Sequence, residues 1–69
     1  MKFLLVMKVC SALGGDCLPE KEVNYHDTWF ECARHGTVET LMLLDSIGEE
    51  LVNKNKLFVG FSCRVTNRV

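Results

Sequence analysis

Four cysteines in a chain of 69 residues constrain this protein more than any other feature of its sequence. A domain of this size buries only about 60% of the surface of its unfolded chain, so a hydrophobic core alone gives marginal stability. Small folds usually compensate with disulfides, a metal ion or a partner subunit. The first candidate site residues are therefore Cys10, Cys17, Cys32 and Cys63.

The hydrophobic pattern predicts a small single domain that spans residues 1–69. Apolar residues alternate near both ends of the chain, which is typical of strands. Between them, Thr28 and Glu31 form a capping-box pattern, and apolar residues then recur at steps of three and four, which predicts a helix. The expected elements are a strand over 2–10, a loop over 11–27, a helix over 28–47, a short helix over 49–53 and a strand over 56–65.

This order of elements predicts an α/β (or α+β) domain in which the helix packs on one face of the sheet. A helix that runs back along the first strand would place the start of the last strand beside the start of the first. The two strands would then be parallel and joined by a right-handed crossover. In that arrangement the four cysteines are expected to gather at one end of the sheet.

Three chemistries compete for such a cysteine cluster. Disulfides would stabilise a thin core, and the preferred pairing is Cys17 with Cys32 and Cys10 with Cys63. The cysteines could instead be reduced thiols, either buried or redox-active. The third alternative is a zinc site that uses the cysteines with His35, although the gaps of 6, 14 and 30 residues lack the usual closely spaced pairs.

The sequence shows no recognisable catalytic constellation, so no catalytic residue is assigned and enzymatic activity is not indicated. The net charge of −1 and the lack of a basic patch argue against a nucleic-acid partner. No stretch approaches the roughly 20 apolar residues of a membrane span. The apolar run before Lys8 is shorter than the core of a signal peptide, which predicts a cytoplasmic protein.

A second apolar face of the helix is expected to be available for a protein partner, with Phe30, Leu41 and Met42 as its residues. A two-stranded sheet would also leave both of its edges and one face uncovered. A symmetric homodimer that pairs strands or covers the free face would resolve this problem.

Several short segments resemble small uncharacterised proteins predicted from marine bacteriophage and ocean metagenomes. They are Val9-Cys10-Ser11, Cys17-Leu18-Pro19, Tyr25, Thr28-Trp29-x-Glu31-Cys32, Val52-Asn53, Leu57-Phe58 and Phe61-x-Cys63. The resemblance implies a viral origin and expression in the cytoplasm of a host bacterium, and it implies no activity.

Together these observations predict a small, non-catalytic accessory or interaction protein with a cysteine-stapled scaffold and no cofactor. The alternative is a zinc-binding or thiol-redox protein that uses the cysteine cluster.

Overall fold

The computed structural model describes residues 1–66 and contains three strands and two helices in that range. The order along the chain is β1 (Lys2–Ser11), β2 (Lys21–His26), α1 (Trp29–Ile47), α2 (Glu49–Asn55) and β3 (Leu57–Thr66). The bounds of both helices and of β1 and β3 differ from the sequence-based prediction by at most two residues. The predicted loop over 11–27 contains β2, which the sequence analysis missed.

The three strands form one sheet in the order β2-β1-β3, and both strand pairs are antiparallel. The prediction of parallel strands was therefore wrong, and the class is α+β. The reason is the missing strand: β2 carries the chain back along β1, so α1 begins at the opposite end of the sheet from the end assumed. Since α1 then runs in the direction of β1, the chain must enter β3 travelling the other way.

The first strand is the centre of the sheet and is buried on both faces. Leu5 and Met7 point toward α1, where Leu5 is completely buried and packs in one cluster with Cys32. Leu4 and Val6 point to the opposite face, and both are buried as well. Because β1 lies between two other strands and both of its faces are buried, its sequence is a nearly continuous apolar run.

The face of the sheet away from α1 is covered by side chains from the two outer strands and not by a second layer. Arg64 of β3 makes an ion pair with Glu20, which precedes β2, at 2.5 Å. Because these residues belong to opposite sides of β1, the pair crosses the central strand. Val6 in that strand is 2% exposed.

The pairing of β1 with β2 contains a β-bulge. Leu5 lies opposite Asn24 and Val6 lies opposite Glu22, so Val23 is the extra residue. Its side chain packs against the core cluster. A bulge of this kind redirects a side chain, and here it adds one apolar group from a short, polar edge strand to the core.

The main helix begins as the sequence predicts. Thr28 is the N-cap, and its Oγ1 accepts a hydrogen bond from the amide of Glu31 at 3.1 Å. Cys32 and Gly36 are the buried residues of the helix, which ends at Gly48 with φ of 99°. In that left-handed region a glycine avoids the steric cost that a side chain would bring.

None of the helices within residues 1–66 combines the length and the apolar character that crossing a bilayer requires.

Candidate functional site

The four cysteines form two disulfides, Cys10–Cys17 and Cys32–Cys63. The preferred pairing of Cys17 with Cys32 and Cys10 with Cys63 was wrong. The two bonds are also apart: Cys63 lies opposite Leu5, and Cys10 is five residues further along β1. At about 3.3 Å per residue, that is about 16 Å along the sheet. The expected single cluster at one end is therefore replaced by two separate crosslinks.

The Cys10–Cys17 disulfide closes the hairpin that joins β1 to β2. Cys10 and Cys17 are partners in an isolated antiparallel bridge, and their Cα atoms are 4.0 Å apart. The amide of Ser11 donates to the carbonyl of Asp16 at 2.8 Å, and the amide of Leu18 donates to the carbonyl of Val9 at 2.9 Å. These bonds make the segment after β1 an ordered turn and explain how the chain returns beside the central strand.

The Cys32–Cys63 disulfide joins α1 to β3 through the core. Cys32 is completely buried, Cys63 is partly buried, and their Cα atoms are 6.2 Å apart. The bond closes a segment of 31 residues that includes nearly all of α1 and the whole of α2. It therefore fixes the helical layer to the sheet at one covalent point.

Because all four sulfur atoms are bonded to one another in pairs, the thiolate ligands of the hypothetical zinc site with His35 are not assembled. Within residues 1–66 no group of three or more His, Cys, Asp or Glu side chains has the arrangement of a metal site. His35 has a different neighbour, the second histidine of the chain.

His26 and His35 are in direct contact, which the sequence analysis did not foresee. Nε2 of His26 lies 2.8 Å from Nδ1 of His35, and the rings meet edge to face with centroids 5.0 Å apart. Nε2 of His35 lies 3.4 Å from Oε1 of Glu39 on the next turn of α1. The missed strand explains the oversight, because β2 brings His26 beside the helix.

The predicted interaction face of Phe30, Leu41 and Met42 is exposed but not continuous. Phe30 is 71% exposed and Leu41 is 61% exposed. They lie on the outer side of α1, about 16 Å apart along the axis at 1.5 Å per residue. Met42 is also exposed but borders a groove on the other side of α1. The three residues therefore belong to two surfaces.

The groove lies between the second half of α1 and the hairpin of β1 and β2, with a volume of about 650 Å³. Its lining is mostly apolar, with charged groups from both sides. The lining residues are Met7, Lys8, Val9, Leu18, Pro19, Lys21, Glu22, Val23, Glu39, Met42, Leu43 and Ser46. His26 and His35 are not in the lining, which comes nearest to them along the chain at Val23 of β2 and Glu39 of α1.

The outer edge of β3 is the longest open edge of the sheet. In the described part of the chain, β3 pairs only with β1, so its other side has no strand partner. The strand is ten residues long, and Arg64 is its only charged residue. Phe58 and Val65 are more than half exposed along it. The outer edge of β2 is shorter, at six residues, and includes Lys21 and Glu22.

Comparison of this chain with models of protein families, with curated proteins and with solved structures finds no match.

Proposed function

We propose that this protein is a non-catalytic interaction protein with a disulfide-stapled scaffold, and that its working form is a homodimer joined along the outer edges of β3. The observation that carries the proposal is the open edge of β3: ten residues, one charge, no proline and exposed apolar side chains. Soluble proteins usually protect such edges with charges, prolines, bulges or a covering element. The β3 edge is only weakly protected within the monomer.

A second copy of the chain is the partner that the sequence of β3 fits best. The residues of β3 that face the α1 side are all apolar, namely Leu57, Val59, Phe61, Cys63 and Val65. Successive side chains of a strand alternate between the two faces, so antiparallel pairing of β3 with itself places apolar residues opposite apolar residues. The strand is therefore self-complementary on its helix-facing side.

A symmetric register centred on Phe61 also gives a favourable pairing on the other face. Phe58 would lie opposite Arg64 of the partner subunit, an arrangement in which a guanidinium can stack on an aromatic ring. The two three-stranded sheets would become one continuous sheet, with both α1 helices on the same face. Such a dimer would pair the outward-facing backbone groups of residues 57–65 along about 30 Å of edge, at 3.3 Å per residue.

The Cys32–Cys63 disulfide makes the β3 edge rigid, and the presence of disulfides suggests the kind of compartment in which the protein works. Cys63 lies in the middle of β3, so the Cys32–Cys63 bond holds the strand against α1. Disulfides persist in oxidising compartments and are rare where thiols are kept reduced. The proposal therefore assigns the protein to an oxidising environment, which differs from the cytoplasmic expectation.

Sedimentation equilibrium of the wild-type protein and of two matched variants tests the proposal. Phe58→Lys places a charge on the β3 edge, opposite Arg64 of the partner subunit in the proposed register. Leu41→Lys places the same charge at a similarly exposed site on the outer side of α1. We expect wild type and Leu41→Lys to have twice the monomer mass and Phe58→Lys to have the monomer mass.

A monomeric wild-type protein at millimolar concentration would refute the dimer. Dissociation by Leu41→Lys but not by Phe58→Lys would move the interface to the helix face that includes Phe30 and Leu41. Circular dichroism of each variant confirms that the changed mass does not come from unfolding.

A further inference from the structure

The contact between His26 and His35 has room for only one hydrogen atom. Its two nitrogens, Nε2 of His26 and Nδ1 of His35, are 2.8 Å apart, a distance at which one donates and the other accepts. If both nitrogens carried hydrogens, two donors would face each other. The contact is therefore compatible with a neutral pair or with a single imidazolium, and incompatible with two.

Glu39 selects which nitrogen of His35 carries the hydrogen. Its Oε1 lies 3.4 Å from Nε2 of His35, so a carboxylate there favours a hydrogen on Nε2. Nδ1 of His35 is then the acceptor, and Nε2–H of His26 is the donor. The arrangement is a hydrogen bond from His26 to His35, followed by an ion-pair contact from His35 to Glu39.

The other charged groups around the pair come from the elements that surround it. Asp27 follows His26 directly and is held in an ion pair with Lys2 of β1. On α1, Glu31 lies one turn before His35, and Glu39 lies one turn after it. On β1, the residue opposite His26 is the uncharged Phe3. Because Asp27 is already paired with Lys2, Glu39 is the only carboxylate in direct contact with the two imidazoles among residues 1–66.

The position of the pair gives its protonation a structural consequence. His26 is the last residue of β2, and His35 lies in the first half of α1. The apolar groove lies between the same two elements, and its lining includes Glu39, one turn after His35, and Val23, three residues before His26. The histidine contact is thus a polar contact between the two elements that form the walls of the groove.

We propose that the hydrogen bond between His26 and His35, which joins β2 to α1, breaks in acid. Protonation of both imidazoles then separates β2 from α1 and widens the groove. Histidine is the side chain whose charge responds most readily to mild acid, so acidification is the condition that tests the contact. The inference does not depend on the proposed β3 dimer, because the groove and the β3 edge are on different sides of the domain.

Hydrogen–deuterium exchange of the amides of β2 at pH 7.5 and pH 5, expressed as protection factors, tests this inference. We expect the protection of Lys21–His26 relative to that of β3 to fall by roughly fivefold or more in the wild-type protein at pH 5, the effect of losing about one hydrogen bond. In His35→Gln, which cannot become charged, relative protection is expected to be the same at both pH values. An equal loss in wild type and in His35→Gln would overturn the proposal.

Ring-nitrogen NMR of the wild-type protein provides a second test that requires no variant. At pH 7.5 we expect the hydrogen of His35 on Nε2 and an unprotonated, hydrogen-bonded Nδ1. A hydrogen on Nδ1 of His35 at pH 7.5 would contradict the proposed hydrogen bond from His26 to His35, whatever the exchange data show.

Discussion

Gly36 of α1 and Phe61 of β3 are in such close contact that no side chain fits between them. A Cβ atom placed on Gly36 would lie 2.4 Å from Cδ2 of the Phe61 ring and 2.6 Å from its Cγ. Cγ is the first atom of the ring, so the ring cannot avoid the added atom by a small rotation of its far end. The close approach of helix and sheet therefore depends on glycine at this position.

We expect Gly36→Ala to destabilise the fold by about 1 kcal/mol. Overpacking costs about 1–3 kcal/mol, and the better helix propensity of alanine offsets about 1 kcal/mol of it. Urea denaturation of Gly36→Ala, Phe61→Leu and the double variant measures the coupling. The double variant should lose less stability than the sum of the single losses, and strict additivity would argue against the contact.

A tryptic digest of the unreduced protein should report the disulfide pairing directly. Cleavage after Lys8 and Lys21 leaves Cys10 and Cys17 in one peptide, 9–21, while peptides 22–34 and 57–64 contain Cys32 and Cys63. We expect peptide 9–21 to be lighter than its reduced form by two hydrogen atoms, and peptides 22–34 and 57–64 to appear as one linked species. A single species that joins all three peptides would contradict this pairing, because both disulfides would then join peptide 9–21 to the other two.

The two disulfides should differ in their contribution to stability. In the chain-entropy account, closing the 31-residue segment contributes about 3.5 kcal/mol and closing the 7-residue segment about 2.5 kcal/mol. Replacing Cys32 and Cys63 together by alanine also leaves a cavity in the core, so this pair should lose the most. Equilibrium denaturation of the two double-alanine variants measures the difference, and a larger loss from the Cys10–Cys17 pair would contradict this ranking.

The ion pair between Lys2 and Asp27 should stabilise the fold at neutral pH and lose that contribution in acid. The hydrogen bond from Lys2, together with its positive charge, lowers the pKa of Asp27. A carboxyl group with a lowered pKa in the folded state stabilises the fold above its ordinary pKa, near 4, and this contribution disappears as the pH falls through the lowered value.

Lys2→Met should therefore raise the pKa of Asp27 toward the ordinary value and remove that part of the acid dependence. The carboxyl carbon shift of Asp27 as a function of pH measures the change, with Lys8→Met as the control that keeps the ion pair. An unchanged midpoint for Asp27 in Lys2→Met would show that the pair does not form in solution.

The parts of the fold that follow from local patterns could be predicted from the sequence. Thr28 and Glu31 identify the start of α1, and the pattern of small and apolar residues identifies Cys32 and Gly36 as its buried side. The same spacing predicts that Trp29, three residues before Cys32, is buried too, but it is 56% exposed and contacts the ring of Phe3 edge to face. Residues at the first turn of a helix can lie beyond the end of the sheet, which the periodicity alone does not show.

The strand β2 could not be recognised by the same means. It is only six residues long, and Val23, its one apolar residue toward the core, lies at a bulge that interrupts the alternation of a regular strand. Without β2, the predicted direction of β3 relative to β1 was inverted, and the predicted cysteine pairing was wrong as well. One available signal was the short spacing of Cys10 and Cys17 around Gly14 and Gly15, which is typical of a crosslinked turn.

The position of β1 at the centre of the sheet has a consequence for the order in which the protein folds. Its partner β2 follows closely along the chain, so this hairpin forms by a local search, whereas β3 must return from beyond both helices. Pairing between distant segments is the slow part of folding. Until β3 arrives, the most apolar strand of the molecule has one side unprotected, so rapid synthesis or crowding should favour aggregation at that stage.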